Sequence, residues 1–164
     1  EKGTLEFKTK QDAVSNELAK SIFELDSVKG IFIGKDFLTI TKSKNAEWEE
    51  IKPNILSRIL DFFASGLQLE AAEEKKVGEE KNYSGKDLEI VNQIKQILDE
   101  RIKPAVAQDG GDISFVKFEE GIVFLELRGA CSGCPSSTIT LKSGIENMLK
   151  YYIPEIVAVE AVNQ

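Results

Sequence analysis

Gly129-Ala130-Cys131-Ser132-Gly133-Cys134-Pro135-Ser136-Ser137 holds both cysteines of the chain, and the chain has no histidine. An apolar run, Ile122 to Arg128, precedes this stretch, and an amphipathic run follows it from about Pro135 to Tyr152. A strand entering the loop and a helix leaving it account for both patterns. Pro135 suits the first helical position, where its missing N–H is a donor the helix would leave unpaired anyway. Any chemistry here falls to two thiols, alone or joined by two more from a second chain.

Upstream, Ile113 to Phe118 and Ile122 to Arg128 flank Glu119-Glu120-Gly121, a hairpin pattern. Asp109-Gly110-Gly111-Asp112 reads as a turn, its glycines free to take positive φ and its aspartates able to accept from local amides. Those aspartates resemble metal ligands, but a turn with satisfied amides explains them more simply. Before them, Leu88, Val91, Ile94, Leu98 and Ile102 repeat with a helical period that Pro104 disturbs or ends. Ser84-Gly85-Lys86-Asp87 has the form of a capping box and opens that helix. Downstream, Ile139, Leu141, Ile145, Met148, Leu149 and Tyr152 are expected to face inward. Pro154 stops the helix, and Ile156 to Val162 closes the sheet. Residues 86–164 thus form a small α-β-β-α-β domain with the CxxC loop at a helix N-terminus.

Residues 1–68 read as a separate small α+β domain. Leu5 and Phe7 alternate with polar neighbours as in a short strand. Asp12 is the expected N-cap of a helix over Ala13 to Leu25, with Val14, Leu18, Ile22 and Leu25 on one face. Gly30 to Ile33, a turn at Gly34-Lys35-Asp36, and Phe37 to Thr41 form a hairpin. Asn45 marks a second helix start. Trp48, Ile51, Ile55, Ile59, Phe62 and Phe63 make its core-facing stripe, which ends near Gly66, and Pro53 is tolerated only near its start or else kinks it. Residues 69–85 carry glutamates and lysines with few apolar side chains, the composition of a charged linker. The fold class expected is α+β, two small domains joined by that linker.

At 164 residues with 41% hydrophobic and 30% charged, the chain has globular composition. No apolar run approaches the roughly 20 residues a membrane span requires. A net charge of −7 argues against nucleic acid or an anionic membrane as the main partner. A CxxC pair closes too short a loop to be a useful disulfide staple, which favours a reducing compartment. An opening Glu1 with Met148 as the single methionine fits a processed or trimmed chain, so the lack of a targeting peptide decides little.

Three chemistries suit Cys131 and Cys134. Structural zinc wants four Cys or His ligands, and this chain offers two. Dithiol redox work suits a CxxC at a helix N-terminus, although the proline here follows the second cysteine. A cubane iron–sulfur cluster needs four thiolates, so one chain holds half a set and a twofold dimer completes it. Gly129 and Gly133 let the loop backbone approach inorganic sulfur, and the helix N-terminus favours thiolate charge. The shared cluster is favoured, and the residues alone leave all three open. Ser136 and Ser137 have no histidine base, which disfavours nucleophilic catalysis.

Asp109-Gly110-Gly111-Asp112-Ile113, Leu127 to Ser137 and Thr138 to Pro154 closely resemble the NifU C-terminal-like domain carried by proteins of the Nfu type. Leu5-Glu6-Phe7, the Gly34 to Thr41 hairpin and Trp48 to Phe62 resemble the Nfu N-terminal domain. The resemblance is to the mitochondrial and α-proteobacterial type. The family's first domain normally opens with an extra strand after a Pro-Asn-Pro segment. Neither stands in this sequence, which fits a trimmed N-terminus and a first domain lacking its first strand. The resemblance implies a non-enzymatic scaffold and carrier of a 4Fe-4S cluster bridged between two protomers, with Cys131 and Cys134 as ligands. It implies upstream assembly factors and apo iron–sulfur clients as partners, in a bacterial cytoplasm or a mitochondrial matrix. An exposed loop is expected to keep the cluster labile for ligand exchange. The alternatives are a thiol oxidoreductase, and a zinc-binding interaction module whose first domain docks clients.

Overall fold

The computed structural model describes residues 3–69, 83–132 and 135–162, the side chains of 135–138 excepted. Chain contacts divide into two units, Glu1–Glu74 and Lys75–Gln164, each with its own three-stranded sheet. The class is mixed α+β. Most of the charged segment expected to be a linker, residues 70–82, lies outside the described residues. At its described edges, Leu69 packs on the first core and Tyr83 on the second.

In the first unit, β1 (Leu5–Phe7) and β3 (Leu38–Lys42) flank β2 (Val28–Ile33), all antiparallel. Helices α1 (Glu17–Ile22) and α2 (Trp48–Ala64) supply Leu18, Ile22, Ile51, Ile55 and Phe62 to the core formed with Phe7, Val28 and Ile31. Four local expectations fail. The α1 cap is Asn16, whose Oδ1 accepts from the Ala19 N–H at 2.9 Å, so Asp12 is not the cap. Asp12 instead accepts from the Lys8 and Thr9 amides at 3.1 and 2.7 Å, closing a turn that leaves Val14 exposed. Helix α2 begins at Trp48, three residues after Asn45, and Trp48 and Phe63 are exposed rather than in the core. A 17-residue amphipathic helix against a small sheet buries one face; Trp48 is its first residue, and Phe63 lies a further 100° around the helix from buried Phe62. The helix runs through Pro53.

In the second unit, α3 (Lys86–Ile97) starts after Gly85, which sits at φ 58° and makes no side-chain cap bond, so the capping box does not form. Leu88 is exposed, and Ile90 joins Val91, Ile94 and Leu98 in the core in its place. A π turn, Leu98–Ile102, links α3 to α4 (Lys103–Gln108). The Lys103 N–H reaches back to the Leu98 carbonyl, a turn one residue wider than α. That wide turn stands just ahead of Pro104, which has no N–H to give. The chain stays helical past the proline, and Leu98, Ile102 and Val106 all remain buried.

Strands β4 (Gly111–Glu119) and β5 (Ile122–Gly129) form the expected hairpin. Its two turn residues, Glu120 and Gly121, have φ of 50° and 80°, the doubly positive geometry that matches strand twist. A register shift between Phe115 and Lys117 bends β4, and the Tyr83 hydroxyl accepts from the Phe118 amide at 2.8 Å beside it. Helix α5 (Pro135–Tyr152) then carries the chain to β6 (Ala158–Ala161), which pairs parallel to β5. Of its expected inward residues, Ile145 and Leu149 are buried and Leu141 partly so. Ile139, Met148 and Tyr152 are exposed, and Ile153, just past the helix end, is buried instead. A three-stranded sheet covers only a narrow arc of an 18-residue helix, so apolar residues outside that arc meet solvent.

Gly121→Ala tests the hairpin. An added Cβ would carry an unfavourable positive φ, collide with the Val157 side chain and press on the Glu155 carbonyl at 3.1 Å. The expected loss is about 1–3 kcal/mol, read as a lower urea midpoint for the second unit. An unchanged midpoint contradicts this turn assignment.

Candidate metal centre

The hairpin sets the site at one end of the second unit's sheet. Gly111 opens β4 directly opposite Gly129, the last residue of β5. On the β4 side, Gly110 at φ 79° reverses the chain out of α4, its N–H on the Ala107 carbonyl. On the β5 side, Gly129 at φ 63° turns the chain into the cysteine loop. Two short links fix that loop. The Ala130 N–H donates to the Gly110 carbonyl at 3.1 Å, and both the amide and the hydroxyl of Ser132 donate to the Gly129 carbonyl, at 3.2 and 2.9 Å.

Cys131 sits between these anchors. It is 8% exposed and belongs to the second unit's apolar core, although Ala130 and Ser132 on either side are exposed. The expectation of a solvent-exposed ligand loop is therefore corrected at Cys131: two turns sew the backbone to the sheet end and tuck this side chain inward. Burial pushes the Cys131 thiol above its ordinary pKa, and the charges of Asp109 and Asp112 add to that push. The thiolate-favouring pull expected of the following helix does not prevail at this residue. A low thiol pKa and access both favour a redox nucleophile, and burial of Cys131 works against each. Cys134, the other candidate ligand, lies outside the described residues, as does Gly133. So do the side chains of Ser136 and Ser137.

Asp112 is the second residue of β4 rather than part of the expected turn, and its Oδ1 accepts from the Ile113 amide at 2.8 Å, the local bond expected of it. Among the described residues no three His, Cys, Asp or Glu side chains group so as to hold a metal. A feature the sequence reading missed lies beside Cys131. Arg128, opposite Asp112 in the ladder, donates from Nη2 and Nε to the Glu126 carboxylate at 2.5 and 2.9 Å. Glu126 is 7% exposed, and the guanidinium answers its buried charge. The signal was there in two opposite charges two positions apart on an otherwise apolar strand, which puts both on one face.

The donor chemistry suits a soft, thiolate-bound metal group: a cysteine just past a strand end, faced by Gly111, which brings no side chain near it. Comparison with known proteins supports that reading from outside. Residues 1–66 match the family model described as scaffold protein Nfu/NifU N terminal, and residues 94–160 match the one described as NifU-like domain. The chain belongs to the Nfu family. Among Nfu relatives it is 49% identical over 160 residues to the human NFU1 iron-sulfur cluster scaffold homolog, mitochondrial, a match spanning 97% of this chain and 62% of that protein. It is 46% identical over 159 residues to the protein of the same name from Drosophila sechellia, covering 97% and 56%. It is 46% identical over 162 residues to NifU-like protein 4, mitochondrial, of Arabidopsis thaliana, covering 98% and 57%. The chain thus spans little more than half the length of these relatives. Among the described residues, no helix is long and apolar enough to cross a membrane.

Proposed function

We propose that this Nfu chain is a scaffold and carrier for an iron–sulfur cluster, its cargo being a 4Fe-4S cluster held by Cys131 and Cys134 of two copies. One observation carries the reading. The chain's whole supply of cysteine and histidine ligands is two cysteines, and they lie in the segment matched as a NifU-like domain. Two thiols meet half the demand of a cubane, so pairing of chains and uptake of cargo are one event. The names of the relatives, iron-sulfur cluster scaffold homologs, point the same way.

Delivery is ligand exchange without electron transfer. Each incoming thiolate of an apo client forms one Fe–S bond as one Fe–S bond to Cys131 or Cys134 breaks. The displaced thiolate then takes a proton from solvent. Loading is the reverse exchange from a thiolate-ligated donor among the upstream assembly factors. The chain is then a stoichiometric carrier rather than a catalyst. By analogy with its mitochondrial relatives the proposed setting is the mitochondrial matrix, and a bacterial cytoplasm offers the same reducing chemistry.

The test is transfer to an apo ferredoxin under anaerobic conditions, with an iron chelator present. A carrier transfers at an unchanged rate with the chelator, because iron is never free. Complete loss of transfer to the chelator contradicts the proposal.

A further inference from the structure

A side chain built on Gly111 would meet Cys131 first. An ideal Cβ there collides with the Cys131 Sγ, lies 3.2 Å from the Cys131 Cβ, and sits 3.0 Å from the Arg128 carbonyl oxygen. Real Cβ atoms essentially never come as close to a neighbour as this one would to Sγ, and the other two contacts are tighter than nearly all real ones. Backbone conformation does not demand glycine, since Gly110 and Gly129 adopt positive φ and Gly111 does not; the Arg128 carbonyl is the one backbone atom close to the added Cβ, and the Cys131 sulfur is nearer still. It also cannot move aside freely, since its register partner is Gly129 and the Ala130 amide is tied to the neighbouring Gly110 carbonyl. The space left by the missing side chain is filled first by the sulfur. We infer that Gly111 is a positioning residue: the space above its Cα is the seat that fixes the Cys131 Sγ, and cargo is bound with Sγ in that seat.

This rests on Cys131 being a cargo ligand, as proposed above. Its consequence is specific. Alanine at position 111 is acceptable to the backbone, but its methyl group is wedged against the Arg128 carbonyl, a part of the ladder. The Cys131 side chain is the part able to give way, so the thiol swings out toward solvent. The fold is kept and the sulfur is misplaced, by a residue twenty positions away in sequence that never touches iron. A mere packing defect would lower stability without exposing one particular thiol.

Two readouts test it, both on the full chain. The first uses Cys134→Ser, which leaves Cys131 as the sole thiol, and Ellman's reagent without metal. The seat predicts that Cys131 reacts at least about tenfold more slowly in the native chain than in urea. Adding Gly111→Ala should raise the native rate by about tenfold, with circular dichroism unchanged. Gly144→Ala, where an added Cβ meets nothing within 4 Å, should leave the rate unchanged. The second uses both cysteines and a reconstituted cluster. Gly111→Ala should lose iron to a chelator about tenfold faster than the parent and show an altered visible spectrum. Parent-like thiol rates in Gly111→Ala, or parent-like retention and spectrum, overturn the inference. If Gly111→Ala does not fold, the native-to-urea ratio of the Cys134→Ser chain still decides, and a ratio near one overturns the seat. If the parent takes up no cluster, the scaffold reading fails along with the role in cargo binding, and the thiol rates decide the seat alone.

Discussion

Cys131→Ser gives a folded chain that no longer holds a cluster. Anaerobic reconstitution should leave it with less than about a tenth of the parent's bound iron and sulfide, since losing a direct ligand costs at least as much as the ten- to hundredfold typical of its supporting groups. Serine is nearly the shape of cysteine but a hard donor, and in a shared site one substitution removes two of four thiolates. Folding should survive. Cys131 is one of many apolar contributors to the second core, and a buried hydroxyl there costs about 1–3 kcal/mol. Cys134→Ser should behave alike in metal content. Iron and sulfide analysis with circular dichroism separates the outcomes: normal metal content in Cys131→Ser removes this residue from the ligand set, and an unfolded variant contradicts the placement of the core.

The largest loss of stability is expected at Leu149. It is 0% exposed, on the face of α5 that meets the sheet carrying the cysteine loop. Leu149→Ala should cost about 2–5 kcal/mol, the range for a buried leucine whose surroundings relax only in part. A small unit has little reserve, so that is a large share of its total. The chain has built-in reporters. Tyr83, Tyr151 and Tyr152 all lie in the second unit and the single tryptophan, Trp48, in the first. The tyrosine resonances should show unfolding at lower urea in Leu149→Ala, while Trp48 fluorescence follows the first unit separately. A tyrosine transition within about 0.5 kcal/mol of the parent, as for an ordinary surface substitution, contradicts the core assignment.

The hairpin around Glu120-Gly121, the helix beginning at Pro135 and the stop before Pro154 were legible in the sequence because each rests on local chemistry: a φ > 0 turn, a missing N–H, a ring that cannot continue a helix. What periodicity could not show is which arc of a helix a small sheet covers. Leu88, Ile139, Met148 and Tyr152 fit the helical repeat and face solvent, while Ile90 and Ile153 stand off the expected stripe and are buried. Capping misled for a related reason. Asp12, Asn45 and Ser84 have capping side chains, but Asp12 serves a turn and the helices open at Glu17, Trp48 and Lys86. The CxxC pair was visible at once as the candidate site. The depth of Cys131 and its seat over Gly111 were not, because they depend on a ladder that pairs Gly111 with Gly129 across the hairpin.

The shared-cargo claim is tested most directly by sizing one anaerobically reconstituted sample while measuring iron and sulfide per chain. The expected result is a 4Fe-4S spectrum confined to a species of twice the 18.2 kDa chain mass, with about two irons and two sulfides per chain. A species of single-chain mass that carries about four irons per chain, with no added thiol, contradicts the account.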